Sequence, residues 1–324
     1  KETCSPVLGS LNSGMQLYRL KHEKPGIFKS IKSALHLPQY LSFLFTGKAF
    51  SEVTSIGCHT NLWNFTENDY HHWVKQEGVQ EKLPPIVPSD AVYPALFEGK
   101  NYKVGVGLHD SSAALIPYLV NFQEPFILIS TGTWCISLNP FNDSPLTDDE
   151  LKTDCLSYLQ YNGKPVKAAR LFAGFMHEQE VKRIASHFNQ DVEKYRTIAF
   201  DPALSANVTT ENIDADDSDF SRTSLQSFKS DADAYHQLML DLVKQQYQST
   251  QLVLTGSNIK RIFVDGGFSK NSIYMNLLAL FFPNIEIFAA SVAQATAVGA
   301  ALSIHHEWNT KPLPNDIIEL RKYS

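Results

Sequence analysis

The sequence predicts an α/β fold. Three observations carry that expectation: a strand-like run ending in paired glycines, two further strand-like runs ending in small or hydroxylated residues, and helix-period segments between them. Residues 260–302 show the alternation best. Arg261-Ile262-Phe263-Val264-Asp265 runs into Gly266-Gly267, a helix-like segment follows, a second strand comes at 285–288, and a small-residue helix starts at Ser291. With no Cβ, the two glycines let the backbone approach a flat or charged ligand, although an ordinary tight turn explains the same pair. Ser291 with Gln294 three residues on suits a capping box, and Ala295, Ala297, Gly299, Ala300 and Ala301 leave a surface that a neighbouring element can press against.

Two more strand ends join this one. Residues 103–107 lead into Leu108-His109-Asp110-Ser111-Ser112, and residues 126–130 lead into Thr131-Gly132-Thr133-Trp134. In an open α/β sheet the carboxyl ends of strands form the ligand crevice, so one site can collect an Asp, a Thr-Gly-Thr and a Gly-Gly. Asp110 has two roles open to it: general base, or cap of the helix that begins with Ser111-Ser112.

GLHDSSAA, ISTGTW, and VDGGFSKN with SVAQATAVGAAL resemble the successive motifs of the FGGY family of carbohydrate kinases, over about residues 5–306. The STGTW and GxHDSxAA forms are more similar to the L-rhamnulose and L-fuculose kinase subgroup than to glycerol kinases. The resemblance implies ribonuclease-H-like domains, shared with actin-like ATPases and sugar kinases, each a mixed sheet with helices on both faces. It further implies a remaining part of the sugar-binding first domain over 1–98 and a nucleotide-binding second domain over 99–324. The implied reaction is ATP-dependent phosphorylation of a ketose, a 6-deoxyketohexose such as L-fuculose or L-rhamnulose at its C1 hydroxyl, with xylulose, ribulose or another sugar as the alternative. A non-catalytic sugar- or nucleotide-binding protein of the same fold is the other reading.

On that resemblance Asp110 is the catalytic base, and Thr54, Ser55, His59, Thr60, His109 and Asp110 lie at the sugar. Thr131, Gly132 and Thr133 offer hydroxyls and N–H groups to the β- or γ-phosphate. Gly266, Gly267, Ser269 and Asn271 flank the α-phosphate and adenosine, while Ala290, Gln294 and Ala295 shape the far wall. ATP and Mg²⁺ are the implied cofactors, with no protein metal ligand assigned. The family's amino-terminal Asp-x-Gly-Thr-type phosphate loop is not found in these residues, so this chain is expected to be truncated and inactive alone.

Several other chemistries fail on composition and spacing. Net charge is −6 among 324 residues, 43% of them hydrophobic, and no basic footprint points to nucleic acid. No apolar run reaches the roughly 18 residues that span a bilayer, which with the four dispersed cysteines (Cys4, Cys58, Cys135, Cys155) leads to an expected cytoplasmic enzyme with reduced thiols, for which a homodimer is one expectation. A Walker A loop is absent. Gly105-Val106-Gly107 lacks the third glycine of a dinucleotide fingerprint, and His177-Glu178-Gln179-Glu180-Val181 lacks the second histidine of a zinc helix. Asn64-Phe65-Thr66 and Asn207-Val208-Thr209 are read as chance sequons.

Taken in order, residues 10–22 predict a helix with an apolar face of Leu11, Met15, Leu17, Tyr18 and Leu20. Residues 27–45 predict two helices interrupted at Pro38. The stretch Glu52-Val53-Thr54-Ser55-Ile56-Gly57-Cys58-His59-Thr60 has little periodicity and many hydrogen-bonding groups; it suits a polyol, and equally a Ser/Thr turn. Residues 68–80 predict a surface helix, and Pro84, Pro85 and Pro88 an extended crossover. A hairpin is expected at 126–138, a solvated acidic face at Asp148-Asp149-Glu150, and a helix over 167–188 broken at Gly174. Residues 201–228 read as an acidic loop that either covers the cleft or is merely mobile. A long helix over 231–248 buries Tyr235, Leu238, Met239, Leu242 and Val243, and a polar tail follows Pro312.

Overall fold

The computed structural model describes residues 1–97, 101–205, 218–292 and 294–324. The expected division near residue 98, the Asn207 sequon and the middle of the acidic loop, residues 206–217, lie outside the described residues. The chain forms two compact units, one of residues 1–123, 142–167 and 292–318, the other of residues 124–141, 168–291 and 319–324.

The second unit is built on a mixed sheet. Arg261–Gly266 lies parallel to both Phe126–Thr131 and Glu286–Ser291. Cys135–Asn139 turns back antiparallel beside Phe126–Thr131, and Glu319–Tyr323, in the tail read only as polar, forms an edge strand antiparallel to Glu286–Ser291. The central strands alternate nothing: Phe126, Ile127, Leu128, Ile129, Ile262, Phe263 and Val264 are all buried, as strands covered on both faces require. The helices of this unit are Ala173–His187, Asp231–Leu254 and Ser272–Phe281. Ser230 caps the long helix by accepting from Asp233 N, and all five residues predicted for its buried side are buried.

The expected helix over 167–188 divides differently. Pro165–Leu171 is a strand, Lys167 being buried with its ammonium on Glu150, and the helix begins only at Ala173. Gly174 therefore does not break a helix; it lies in the first turn, where a Cβ would meet the Gly132 carbonyl oxygen at 1.8 Å.

In the first unit, Ser13–Glu23 is helical as expected, with Leu17 and Leu20 on a core of Phe28, Ile56, Leu62, Trp63, Tyr70, Val74, Val79 and Leu159; Leu11 and Tyr18 stay exposed. Pro38 does not interrupt two helices. The first ends at Ser30, and Pro38 lies in the first turn of Leu37–Thr46, where a missing N–H is harmless. The predicted helix over 68–80 shrinks to His72–Gln76, because Asp69–Tyr70 pairs antiparallel with Trp63–Asn64. Asp148, Asp149 and Glu150 open a short helix under a Thr147 capping box.

Helices Asp110–Asn121 and Ala295–Ser303 also belong to the first unit, and they pack at Gly299, where a Cβ would meet the Ala113 carbonyl oxygen at 1.7 Å. The expected capping box at Ser291 does not form. Ser291 is the last residue of a strand, and the helix starts after Gln294, which sits at φ 53° and gives it no side-chain cap.

Candidate functional site

A cleft of about 600 Å³ opens in the second unit at the carboxyl ends of Phe126–Thr131 and Arg261–Gly266. The two strands run in register, Gly266 opposite Thr131, so the two predicted turns leave the sheet side by side. The Thr131 hydroxyl fixes both: it donates to the Asp265 carbonyl oxygen at 2.6 Å and accepts from Phe268 N at 3.0 Å, while the Thr131 carbonyl accepts from Gly267 N at 2.9 Å. Gly266 is at φ 92°, and a Cβ there would lie 2.0 Å from the Thr131 carbonyl oxygen. Gly132 and Gly267 differ from it. The nearest atom a Cβ would meet lies 4.0 Å away at each, which leaves bare backbone open to a ligand.

Of the residues predicted for the nucleotide, Thr131, Gly132, Gly267 and Asn271 line this cleft. Gly266 and Ser269 brace it, the Ser269 hydroxyl donating to the Gly266 carbonyl at 2.8 Å. Asn271 is a structural residue as well: its Oδ1 accepts from Ile273 N and Tyr274 N at the start of a helix, and its Nδ2 donates to the Tyr235 hydroxyl at 2.6 Å. Thr133 stays exposed on the hairpin turn, its carbonyl taking Phe175 N, and Ala290 is buried inside its strand. Gln294 is exposed at the start of its helix.

Sequence reasoning missed a further part of the lining, made by Gly174, His177, Tyr195, Arg196 and Ile198, and the cation Lys270. His177 had registered only as half of a failed zinc motif. Its ring packs edge-on to Tyr195, Tyr235 and Phe268 and hydrogen bonds the Tyr235 hydroxyl at 3.0 Å. Burial lowers its pKa to about 4, so the His177 ring is neutral at pH 7 and the positive charge of this part of the lining comes from Arg196.

The predicted sugar residues gather in the first unit around His109. Asp110 is the first residue of its helix, with a side chain 77% exposed, and its Oδ1 takes Ser111 N at 2.6 Å. The N-cap position belongs to His109, whose side chain makes no cap hydrogen bond, while one Asp110 carboxylate oxygen takes a first-turn N–H. His109 Nε2 lies 3.3 Å from Asp110 Oδ1 and 2.9 Å from Cys58 Sγ. Removal of its ring from water lowers the His109 pKa to about 4, with the Asp110 charge pulling the other way and His59 adding to the fall.

Thr54, Ser55 and Thr60 are buried. Thr54 Oγ1 donates to Glu52 Oε2 at 2.6 Å and accepts from His109 N at 2.9 Å, and the Thr60 hydroxyl donates to the Ile56 carbonyl. Glu52, which sequence reasoning passed over, is wholly buried. Its oxygens accept from Thr54 N, Ser55 N, Thr54 Oγ1 and the Ser89 hydroxyl. Burial raises its pKa, and those four donors oppose the rise. The only signal available in sequence was an acid just before the short helix Val53–Ile56, the place for a cap.

No helix among the described residues is long and apolar enough to cross a membrane. A carbohydrate kinase from Novosphingobium aromaticivorans superposes with a TM-score of 0.76 at 24% identity, over 99% of this chain and 70% of that one. A ligand-bound xylulose kinase from Lactobacillus acidophilus does so with 0.76 at 15% identity, over 99% and 69%. Both show the fold, an α/β arrangement with a mixed sheet flanked by helices. In sequence, 134 residues are 32% identical to a protein named rhamnulokinase from Oceanobacillus iheyensis, 39% of this chain and 28% of that protein. The same figures hold for a rhamnulokinase from Halalkalibacterium halodurans, so the match spans about a quarter of each relative's length. Residues 123–312 match the family description "Carbohydrate kinase FGGY, C-terminal domain", more than half of the chain and the stretch that contains the cleft, and the chain therefore belongs to the FGGY family of carbohydrate kinases.

Proposed function

We propose that the protein transfers the γ-phosphoryl group of ATP to a ketose, with the nucleotide at the Thr131–Gly132 and Gly267–Asn271 cleft and Asp110 accepting the proton of the attacking hydroxyl. The observation that carries the reading is the register of Gly266 on Thr131, which sets two bare glycine backbones at one cleft. Polyphosphate suits these walls. Gly132 and Gly267 admit close approach, Lys270 and Arg196 supply positive charge, and the aromatic face of Tyr195 can take a purine.

The chain's own groups then divide the work. Lys270, Arg196 and the open glycine backbone bind and orient the phosphates, and Asp110, exposed, takes the hydroxyl proton as the O–P bond forms. Mg²⁺, when bound with the nucleotide, neutralises charge on the β- and γ-oxygens; no residue is assigned to it. In this reading residues 1–98 belong to the sugar-binding domain, 99–324 form the nucleotide domain, and the cytoplasm is the proposed location.

A 6-deoxyketohexose, L-rhamnulose or L-fuculose phosphorylated at C1, is the proposed substrate. Support comes from the GLHDSSAA and ISTGTW motifs and from the 32% identity to proteins named rhamnulokinase. One methylene in a pocket is worth only about 1–3 kcal/mol of discrimination, so the test is a direct comparison of ketoses. The complete protein, given ATP, Mg²⁺ and a panel of L-rhamnulose, L-fuculose, xylulose, ribulose and glycerol, should phosphorylate a deoxyketose with the highest kcat/KM. A clear preference for xylulose or ribulose would move the assignment to those sugars, and ATP binding without turnover on any member would leave a sensor.

A further inference from the structure

Cys58, His59 and His109 each offer one ligand atom, and these atoms lie within 4.8 Å of one another in the first unit. We propose that they form a binding site for a thiophilic divalent cation, Zn²⁺ foremost, and that the ion inhibits the kinase by occupying the neighbourhood of Asp110. The second half of this proposal rests on the proposed function; the site itself does not.

The donor set selects the ion. One thiolate and two imidazoles suit Zn²⁺ and Co²⁺, whereas Mg²⁺ prefers oxygen donors in an octahedron. In a tetrahedral site with Zn–S about 2.3 Å and Zn–N about 2.0 Å, ligand atoms stand roughly 3.5 Å apart, so the three groups need only small side-chain movements. Cys58 Sγ and His109 Nε2 are already at 2.9 Å. On binding, the Cys58 S–H bond breaks, its proton passes to water and the sulfur lone pair forms the metal bond; both imidazoles bind through neutral lone pairs.

Three protein ligands leave a fourth position open. Asp110 Oδ1 lies 3.3 Å from His109 Nε2, close enough to be drawn in as the fourth ligand. That removes the base from the sugar hydroxyl. The other three cysteines do not compete: among the described residues none of them belongs to a cluster of three such ligands, and burial pushes the thiol of Cys4 up and those of Cys135 and Cys155 up to about 12.

Co²⁺ titration of the metal-free protein tests the site without reference to catalysis. One equivalent should bring up a thiolate-to-cobalt charge-transfer band with release of about one proton, and Zn²⁺ should abolish the band. C58S should lose it and C135S keep it. H59N and H109N should weaken binding by about tenfold or more; His59 sits at φ 39°, where asparagine is well accommodated, so H59N reads the ligand without disturbing the turn. Absence of the band, its survival in C58S, or unchanged affinity in both histidine variants would overturn the site. Zn²⁺ should also inhibit sugar phosphorylation in wild type and much less in C58S; inhibition equal in the two would refute the inhibitory role. A cobalt site on a protein that phosphorylates no ketose would sink the kinase reading and leave the metal site standing.

Discussion

The backbone of Ala113 and that of Gly299 touch: a single Cβ on the glycine would overlap the alanine carbonyl at 1.7 Å. The helix that begins with Asp110 is thereby held by its neighbour at a distance that only glycine permits. G299A should cost about 1–3 kcal/mol through overpacking, read as a lower denaturant midpoint with the slope unchanged. An unchanged midpoint would mean the helices separate at no cost.

Gly266 and Gly267 separate fold from ligand. G266A places a side chain at φ 92° and 2.0 Å from the Thr131 carbonyl, and should lower stability by about 1–3 kcal/mol. Gly267 is at φ −62° with open space around it, so G267V should melt close to wild type while ATP affinity measured by calorimetry falls steeply. Equal ATP affinity in G267V would remove the cleft as the nucleotide site.

D110N should retain ATP and sugar binding and lose transfer by about 10² to 10⁴-fold. Near wild-type turnover would take Asp110 out of the mechanism. E52Q places an amide where four donors converge; its NH2 then faces one backbone N–H and one hydroxyl donor, at a cost of about 1–3 kcal/mol in stability.

His177 predicts a pH dependence with a definite sign. Its pKa of about 4 lies below the unfolded value near 6.5, so the unfolded chain binds the extra proton. The contribution is complete above about pH 6.5 and is lost as pH falls toward 4, by up to about 3 kcal/mol. Asp241 in the same unit acts oppositely: burial pushes its pKa up to about 6, so the folded form gains a proton, and stability, as pH falls below that value. Urea unfolding between pH 4 and 8 should show a flatter acid loss in H177N and a steeper one in D241N; identical slopes in all three would refute both assignments.

Much of this was legible because it is local. The Gly266-Gly267 and Thr131-Gly132-Thr133 strand ends, the hairpin and the 231–254 helix follow from apolar runs and turn chemistry that act within a few residues. The strand Pro165–Leu171 was misread as helix because its alanines and Lys167 carry helix propensity, which burial within a sheet overrides. The further part of the cleft lining, His177 with Tyr195 and Arg196, was illegible for another reason. It is assembled by packing between segments whose separate patterns contain no ligand signature.

The Glu52 carboxylate joins Thr54, Ser89 and, through the Thr54 hydroxyl, the backbone of His109, partners 37 positions apart in one case and 55 in the other. A carboxylate so enclosed is tolerable only when all its partners have arrived, since each one missing leaves a charge in a dry interior. The cluster therefore belongs late in folding, after the long loops between its members have closed. Substitutions at Glu52 or Ser89 should accordingly accelerate unfolding far more than they slow folding, giving transition-state φ-values near zero at both positions.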